Sequence, residues 1–175
     1  AFSRFEALDS DVLEDIREAE RRPDLLALVE AWFQSERDRR TPSAGSAAGA
    51  VSETLAQILG LALRPWLGKC ADALQEREEL LHWGHAYCPL CGSEPGFGVV
   101  GADGRQSLLC ARCTLRWRRM AEGCVFCGNT QRHLLTSFGS ADSPYRVEVC
   151  EVCRRYLKWI DVRRTGRPAM PLLDA

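Results

Sequence analysis

The 175-residue sequence lacks several features that would place it in a common functional class. It contains no apolar run that approaches the ~20 residues of a membrane-spanning helix, so a soluble protein without membrane insertion is predicted. It carries almost no net charge, because 23 Lys and Arg stand against 24 Asp and Glu. It also contains no nucleophile–base arrangement, phosphate-binding glycine loop or pair of carboxylates at a recognisable spacing, so nothing in the sequence argues for an enzyme.

Cysteine is scarce in the first half of the chain, where Cys70 stands alone, and abundant in the second half. Eight of the nine cysteines form four Cys-x-x-Cys pairs. Such a turn directs two thiolates at one point, so two turns supply the four sulfurs of a tetrahedral metal site. Two metal ions per chain are therefore predicted, zinc or iron, since both accept four thiolates. A secreted disulfide scaffold would carry cysteines throughout and a thioredoxin-like protein a single pair, so neither class fits.

The segments between the pairs indicate which cysteines share an ion. Two short strands joined by a glycine-flanked turn are predicted at 97–100 and 105–109, and a similar hairpin at 132–138 and 145–149. A hairpin brings the turns at its base together, so sequential pairing is favoured, and interleaved pairing, as in cross-braced fingers, is the weaker alternative. The predicted ligands are Cys88, Cys91, Cys110 and Cys113 for the first ion, and Cys124, Cys127, Cys150 and Cys153 for the second.

The two cysteine-rich segments resemble copies of one unit. Each places a glycine, Gly92 or Gly128, directly after its first pair, where a metal-binding turn requires a positive φ. A basic and aromatic stretch follows each second pair, at 115–119 and at 156–160, and is expected to add a third strand. These features predict two rubredoxin-like or zinc-ribbon modules.

The region before the first pair is predicted to be helical. Apolar residues recur at helical spacing in four segments, separated by a small and polar loop at about 41–50. The predicted helices cover 11–22, 23–40 and 52–63, and a fourth begins at Pro65. We expect their apolar stripes to form a core in which Cys70 is a small buried side chain, with a groove for a partner as the alternative.

Together these patterns predict a fold of the α plus small β class, in which a helical N-terminal domain precedes two tandem rubredoxin-like or zinc-ribbon metal modules. The predicted boundaries are 1–84 for the helical domain, 85–121 for the first module, 122–165 for the second module and 166–175 for a tail.

Charge is unevenly distributed along the chain. Residues 1–87 contain 10 Lys and Arg against 16 Asp and Glu, whereas residues 88–175 contain 13 against 8. Each divalent ion held by four thiolates contributes a charge of about −2, so two sites offset most of this basic excess. Arginines beside the cysteines, such as Arg119 and Arg155, are expected to offset the charge of the sites. Trp117, among arginines, could stack on nucleotides, but a sequence pI near 6.4 argues against a dedicated nucleic-acid-binding protein.

The run Trp83–Ser93 and the three cysteine pairs that follow it, with their flanking residues, resemble the formate dehydrogenase accessory protein family, FdhE. The likeness is close over the second half of the chain and extends upstream to residues 61–67. It implies a helical region, two rubredoxin-like modules and a metal-ligand role, for iron or zinc, of the same eight cysteines. Family members act in the cytoplasm on the catalytic subunit of molybdenum- or tungsten-dependent formate dehydrogenases and assist its assembly. Typical members have a longer helical region than the 87 residues that precede the first ligand here.

The function expected from this resemblance is therefore assembly of formate dehydrogenase, through a scaffold with two tetracysteine metal sites that binds the catalytic subunit. A nucleic-acid-binding zinc-ribbon protein and a rubredoxin-like redox protein are the alternatives. An enzyme with an open metal site would need a ligand position without cysteine, and each predicted site has four.

Overall fold

The computed structural model describes residues 14, 17, 24–38, 51–120 and 122–170. The chain divides into two compact units, Ala1–Arg64 and Pro65–Ala175. The predicted loop at 41–50 and most of the predicted helix at 11–22 lie outside the described residues. The domain boundaries proposed from the sequence stay predictions.

In the first unit, helix α1 (Leu25–Asp38) begins after Asp24, whose carboxylate accepts a backbone N–H of the first turn at 3.0 Å. Leu28 and Trp32 lie one turn apart on the same face of α1 and are almost fully buried. The indole Nε1 of Trp32 donates a hydrogen bond of 3.0 Å to the carbonyl oxygen of Ala56. This buried tryptophan therefore attaches α1 to the helix that follows.

That following helix, α2 (Glu53–Leu74), is one continuous element of 22 residues. The prediction of two helices here, with the second beginning at Pro65, is therefore wrong. A proline inside a helix removes one backbone hydrogen bond and crowds the preceding turn, at a cost of about 3 kcal/mol. The residues on both sides of Pro65 are rich in Leu and Ala, which favour the helix, so it continues through the proline.

Several apolar side chains expected in the helical core are exposed. Leu25 and Leu26 are each 68% exposed and Trp66 is 75% exposed. Cys70 is also exposed, so its predicted burial is wrong. Periodicity shows that apolar residues share a face of a helix, but it does not show that a neighbour covers that face. Within the described ranges, none of the helices carries an apolar stretch sufficient to cross a bilayer.

The second unit is built around one six-stranded sheet. Its strands are β1 (Pro95–Val100), β2 (Gln106–Cys110), β3 (Arg116–Arg118), β4 (Leu135–Phe138), β5 (Tyr145–Cys150) and β6 (Arg155–Asp161). β1 with β2 and β4 with β5 form the two predicted antiparallel hairpins, while β3 and β6 add the two predicted third strands. The predicted fold class, a helical region followed by two small β modules with four cysteines each, is confirmed.

The two modules are joined, because β1 and β6 pair in parallel within the strand order β3-β2-β1-β6-β5-β4. Each module has the same internal order, with its third, second and first strands side by side. Since the first strand of one module pairs with the third strand of the other, the β1–β2 hairpin lies inside the sheet and the β4–β5 hairpin lies at one edge. The sequence pattern does not predict this joint.

The joint depends on a glycine. Gly98 of β1 stands opposite Trp159 of β6, and a Cβ added to Gly98 would come within 2.4 Å of the indole ring. The guanidinium groups of Arg119 and Arg146 lie 5.1 Å and 5.0 Å from the centre of that ring. Arg119 also pairs with Glu148 at 3.0 Å, and both of these side chains are largely buried. Ring packing and charge pairing therefore act together to hold the modules side by side.

Each face of the sheet carries a small apolar core. On one face, four residues pack together under the C-terminal segment that begins with helix α3 (Val162–Thr165): Phe97, Val99, Leu109 and Ile160. On the other face, three residues lie in one row across the paired strands and are at most 2% exposed: Leu108, Trp117 and Trp159. The sheet is therefore buried on both sides at its centre, where the two modules meet.

The two edges of the sheet differ. At the β3 edge, the side-chain amide of Gln75 donates to the carbonyl oxygen of Arg116 and accepts from its backbone N–H, each at 3.0 Å. This side chain occupies hydrogen-bonding groups that a further strand would use. The opposite edge is β4, which belongs to the hairpin of the second module.

Candidate metal centres

The first Cys-x-x-Cys turn of each module has the predicted backbone geometry. The N–H of Gly92 donates 2.9 Å to the carbonyl oxygen of Cys88, and that of Gly128 donates 2.9 Å to the carbonyl oxygen of Cys124. Both glycines have a positive φ, 72° and 73°. Glycine is suited to this conformation because it has no Cβ to clash with the backbone.

The second turn of each module adopts the same conformation without glycine. Thr114 and Arg154 have φ values of 61° and 56°. Their N–H groups donate to the carbonyl oxygens of Cys110 and Cys150, at 3.3 Å and 2.8 Å. A side chain in this left-handed region costs about 1–2 kcal/mol. No sequence signal identifies these positions, since neither residue type favours a positive φ.

The first cysteine quartet (Cys88, Cys91, Cys110 and Cys113) forms where β1 begins and β2 ends. The sulfurs of Cys88 and Cys113 are 3.4 Å apart, those of Cys91 and Cys110 are 3.4 Å apart, and those of Cys91 and Cys113 are 3.7 Å apart. None of the four side chains is more than 5% exposed. The backbone N–H groups of Arg112 and Cys113 donate to the Cys110 sulfur at 3.3 Å and 3.4 Å, which favours its thiolate form.

The second cysteine quartet (Cys124, Cys127, Cys150 and Cys153) forms at the equivalent place, where β4 begins and β5 ends. The sulfurs of Cys124 and Cys153 are 3.6 Å apart, and those of Cys127 and Cys150 are 3.7 Å apart. The N–H of Phe126 donates to the Cys124 sulfur at 3.4 Å. Burial is lower than in the first quartet, because Cys153 is half-buried and Cys127 is exposed.

Both quartets fit a tetrahedral metal ion. In each, the four sulfurs lie within 4.8 Å of one another. A metal–sulfur bond of about 2.3 Å places tetrahedral ligands ~3.8 Å apart, close to the shortest sulfur separations of 3.4 and 3.6 Å in the two quartets. A disulfide would require about 2 Å. The cysteines are grouped sequentially, as the hairpins predict, and their role as metal ligands stays a prediction.

Neighbouring thiols and backbone groups shift the pKa values of the cysteines. In the first quartet, the thiol of Cys113 lowers the pKa of Cys110, and the pKa of Cys113 is raised in turn. In the second quartet, burial raises the pKa of Cys124 to about 12. Burial also opposes ionisation of Cys150, but N–H groups of the following turn lower its pKa to about 7. Because metal ligation requires thiolates, an ion that binds here displaces protons, and binding weakens in acid.

The two quartets lie at the same end of the sheet, because β1 and β6 are parallel and each begins beside one quartet. The centres of the two hairpins are three strand spacings apart, or about 14 Å. Arg155, which follows the second quartet, pairs with Glu94, which follows the first. Its guanidinium lies 3.8 Å from the centre of the Phe126 ring. Glu94, and to a smaller extent the charges of Cys153 and Cys124, raise the pKa of Arg155.

Arg155 lies beside the second quartet, but its guanidinium is paired with the carboxylate of Glu94, so the expectation that arginines offset the charge of the sites stays a prediction. The sequence does not predict this ion pair with Glu94. The ion pair spans two modules whose adjacency arises from the β1–β6 joint, so only the folded structure shows it.

The fold and the two quartets define a protein with a helical region and tandem tetracysteine modules. No protein-family model matches the chain. The chain is 32% identical over 117 residues to an FdhE homologue of Aquifex aeolicus, which covers 64% of this chain and 41% of that protein. It is 30% identical over 133 residues to an FdhE homologue of Pseudomonas putida, which covers 71% of this chain and 42% of that protein.

The crystal structure of the FdhE protein from Pseudomonas aeruginosa matches the fold with a TM-score of 0.65 at 20% identity, over 97% of this chain and 58% of that chain. The resemblance to the FdhE family that the sequence indicates is confirmed. The chain spans less than half the length of these two curated relatives.

Proposed function

We propose that this chain is an accessory protein for the assembly of formate dehydrogenase, and that it acts in the cytoplasm by binding the catalytic subunit of that enzyme. The observation that carries the proposal is the similarity to FdhE homologues, which extends over 64% of the chain for the homologue of Aquifex aeolicus. The role is one of binding, because each quartet supplies four ligands to one point and leaves no ligand position for a substrate.

The eight cysteines are proposed to hold two ions, zinc or iron. A bound ion ties two turns of the backbone together, and much of the folding free energy of small metal modules comes from such binding. Iron would also permit one-electron exchange, which zinc does not. Protein purified without oxygen decides between them: red protein that bleaches with dithionite contains iron, and colourless protein with two zinc ions leaves a purely structural role.

The end of the sheet that carries the quartets is proposed as part of the binding surface. The two hairpins that carry the quartets belong to one sheet that is paired across the joint. Apolar side chains are exposed beside the second quartet, where Val152 is 56% and Tyr156 is 59% exposed. A rigid end with exposed apolar groups suits recognition of a protein surface.

Deletion of the gene, followed by complementation, tests the proposal. We expect the deletion to lower formate dehydrogenase activity and the amount of catalytic subunit, and the full chain to restore both. A chain with Cys110→Ser and Cys150→Ser should fail to restore them. Cys70→Ser removes the cysteine outside the quartets and is the matched control, which should behave as wild type. Unchanged activity and unchanged subunit abundance after deletion would refute the proposal.

A further inference from the structure

The two quartets are built from equivalent turns, yet their accessibility differs position by position. Cys91 is 5% exposed, whereas its counterpart Cys127 is exposed. Cys113 is 0% exposed, whereas its counterpart Cys153 is half-buried. In both turns, the second cysteine is therefore more accessible in the second module than in the first.

The topology of the sheet explains the difference between Cys91 and Cys127. The β1–β2 hairpin has β3 on one side and β6 of the other module on the other side, so the first quartet is flanked on both sides. The β4–β5 hairpin has β6 on one side, and β4 forms the edge of the sheet. The second quartet is consequently open on the side of β4, where Cys127 and the adjacent Gly128 are exposed.

From this geometry we propose that the second quartet is a reactive exchange site, whereas the first quartet is a structural site. The thiolate of Cys127 is open to small electrophiles and to competing metal-binding ligands. An alkylating electrophile would form a sulfur–carbon bond at Cys127 and expel its leaving group. The bond from that sulfur to the metal would break, leaving an ion with three protein ligands that a chelator removes more easily.

The first quartet does not offer this route. None of its four cysteines is more than 5% exposed, so protein covers its sulfurs. The hydrophobic shell around a metal site controls the access of solvent and reagents. Loss of its ion requires opening of the β1–β2 hairpin, which is paired in the interior of the sheet. The inference rests on the proposed metal binding but is independent of the proposed partner.

The test uses the full chain loaded with two zinc ions and exposed to excess EDTA, with zinc release followed in time. One ion should leave at least about tenfold faster than the other. Iodoacetamide labelling in the same samples, read by peptide mass spectrometry, should modify Cys127 and Cys153 during the fast phase and the first quartet later. Cys70 is exposed and outside both quartets, so it serves as an internal reference for a freely accessible thiol.

A Cys127→Ala variant adds a second measurement, because it should abolish the fast phase and keep one slowly released ion. Two ions that leave together, first-quartet cysteines that are labelled before Cys127, or a fast phase that persists in Cys127→Ala would each overturn the inference. A chain that binds fewer than two ions overturns the metal assignment itself, so the two failures are distinguishable.

Discussion

The two metal modules have the same strand order and the same turn geometry, but they occupy unequal places in the sheet. The first module contributes β1 to the joint and thereby surrounds its own quartet with strands. The second module contributes β6 and leaves its quartet beside the edge strand β4. Two similar modules thus have different environments when they pair side by side. The first strand of one module pairs with the third strand of the other, so the hairpin of the first module is covered and the hairpin of the second module lies at the edge.

The largest expected difference between the modules comes from removal of one ligand. Cys110→Ser removes a sulfur at the end of β2 and should release the first ion and destabilise the β1–β6 joint, since both strands of the first hairpin lie inside the sheet. Cys150→Ser should release the second ion and unfold mainly the edge hairpin. Loss of either ion should lower the free energy of unfolding by several kcal/mol, because binding of a structural zinc ion contributes on the order of 10 kcal/mol.

Zinc content per chain and hydrogen exchange along the sequence measure these effects. Cys150→Ser should keep one ion and retain protection of backbone amides in β1 and β2, whereas Cys110→Ser should lose protection in both hairpins. The prediction would be contradicted if Cys110→Ser left the second module intact and Cys150→Ser unfolded the first module.

A smaller effect is expected at the joint. Gly98→Ala places a methyl group within 2.4 Å of the Trp159 ring, which is 1% exposed and has no room to move away. Overpacking of this kind destabilises a protein by about 1–3 kcal/mol. The melting temperature of the zinc-loaded chain should fall by about 2–4 °C per kcal/mol. The matched control is Gly84→Ala, because a Cβ at that position meets nothing within 4 Å; equal melting temperatures for the two variants would contradict the account of the joint.

The sequence predicts the parts of the second unit well and their assembly poorly. Cysteine spacing, the glycine-flanked turns and the strand patterns locate both hairpins, because these are local signals. Pairing of Gly98 with Trp159 is a contact between distant parts of the chain, and the sequence shows only a glycine inside a strand. The unequal exposure of Cys91 and Cys127 follows from that pairing. It cannot be predicted from the sequence, because both cysteines occupy the same position of a Cys-x-x-Cys motif.

In the helical region, too, local sequence signals predict the elements better than their boundaries and burial. Pro65 is a local signal for a helix start, but the propensity of its neighbours overrides it within α2. Apolar spacing correctly indicates helices, while the exposure of Trp66 depends on which surfaces meet. Local sequence therefore predicts where helices lie, whereas the burial of a side chain depends on the tertiary structure.

A still smaller effect is expected at the second Cys-x-x-Cys turn of each module. Thr114 and Arg154 occupy equivalent left-handed positions, and glycine at either position relieves a strain of about 1 kcal/mol at some cost in chain entropy. The gain should be larger for Thr114→Gly than for Arg154→Gly, because a branched Cβ fits this conformation worse. Chemical denaturation of the zinc-loaded chains measures both, with Gly92→Ala as the reverse control: it introduces a Cβ at a φ of 72° and should lower the free energy of unfolding. A Thr114→Gly chain less stable than wild type would show that the threonine side chain, whose hydroxyl donates 2.6 Å to the carbonyl oxygen of Cys113, contributes more than its backbone strain removes.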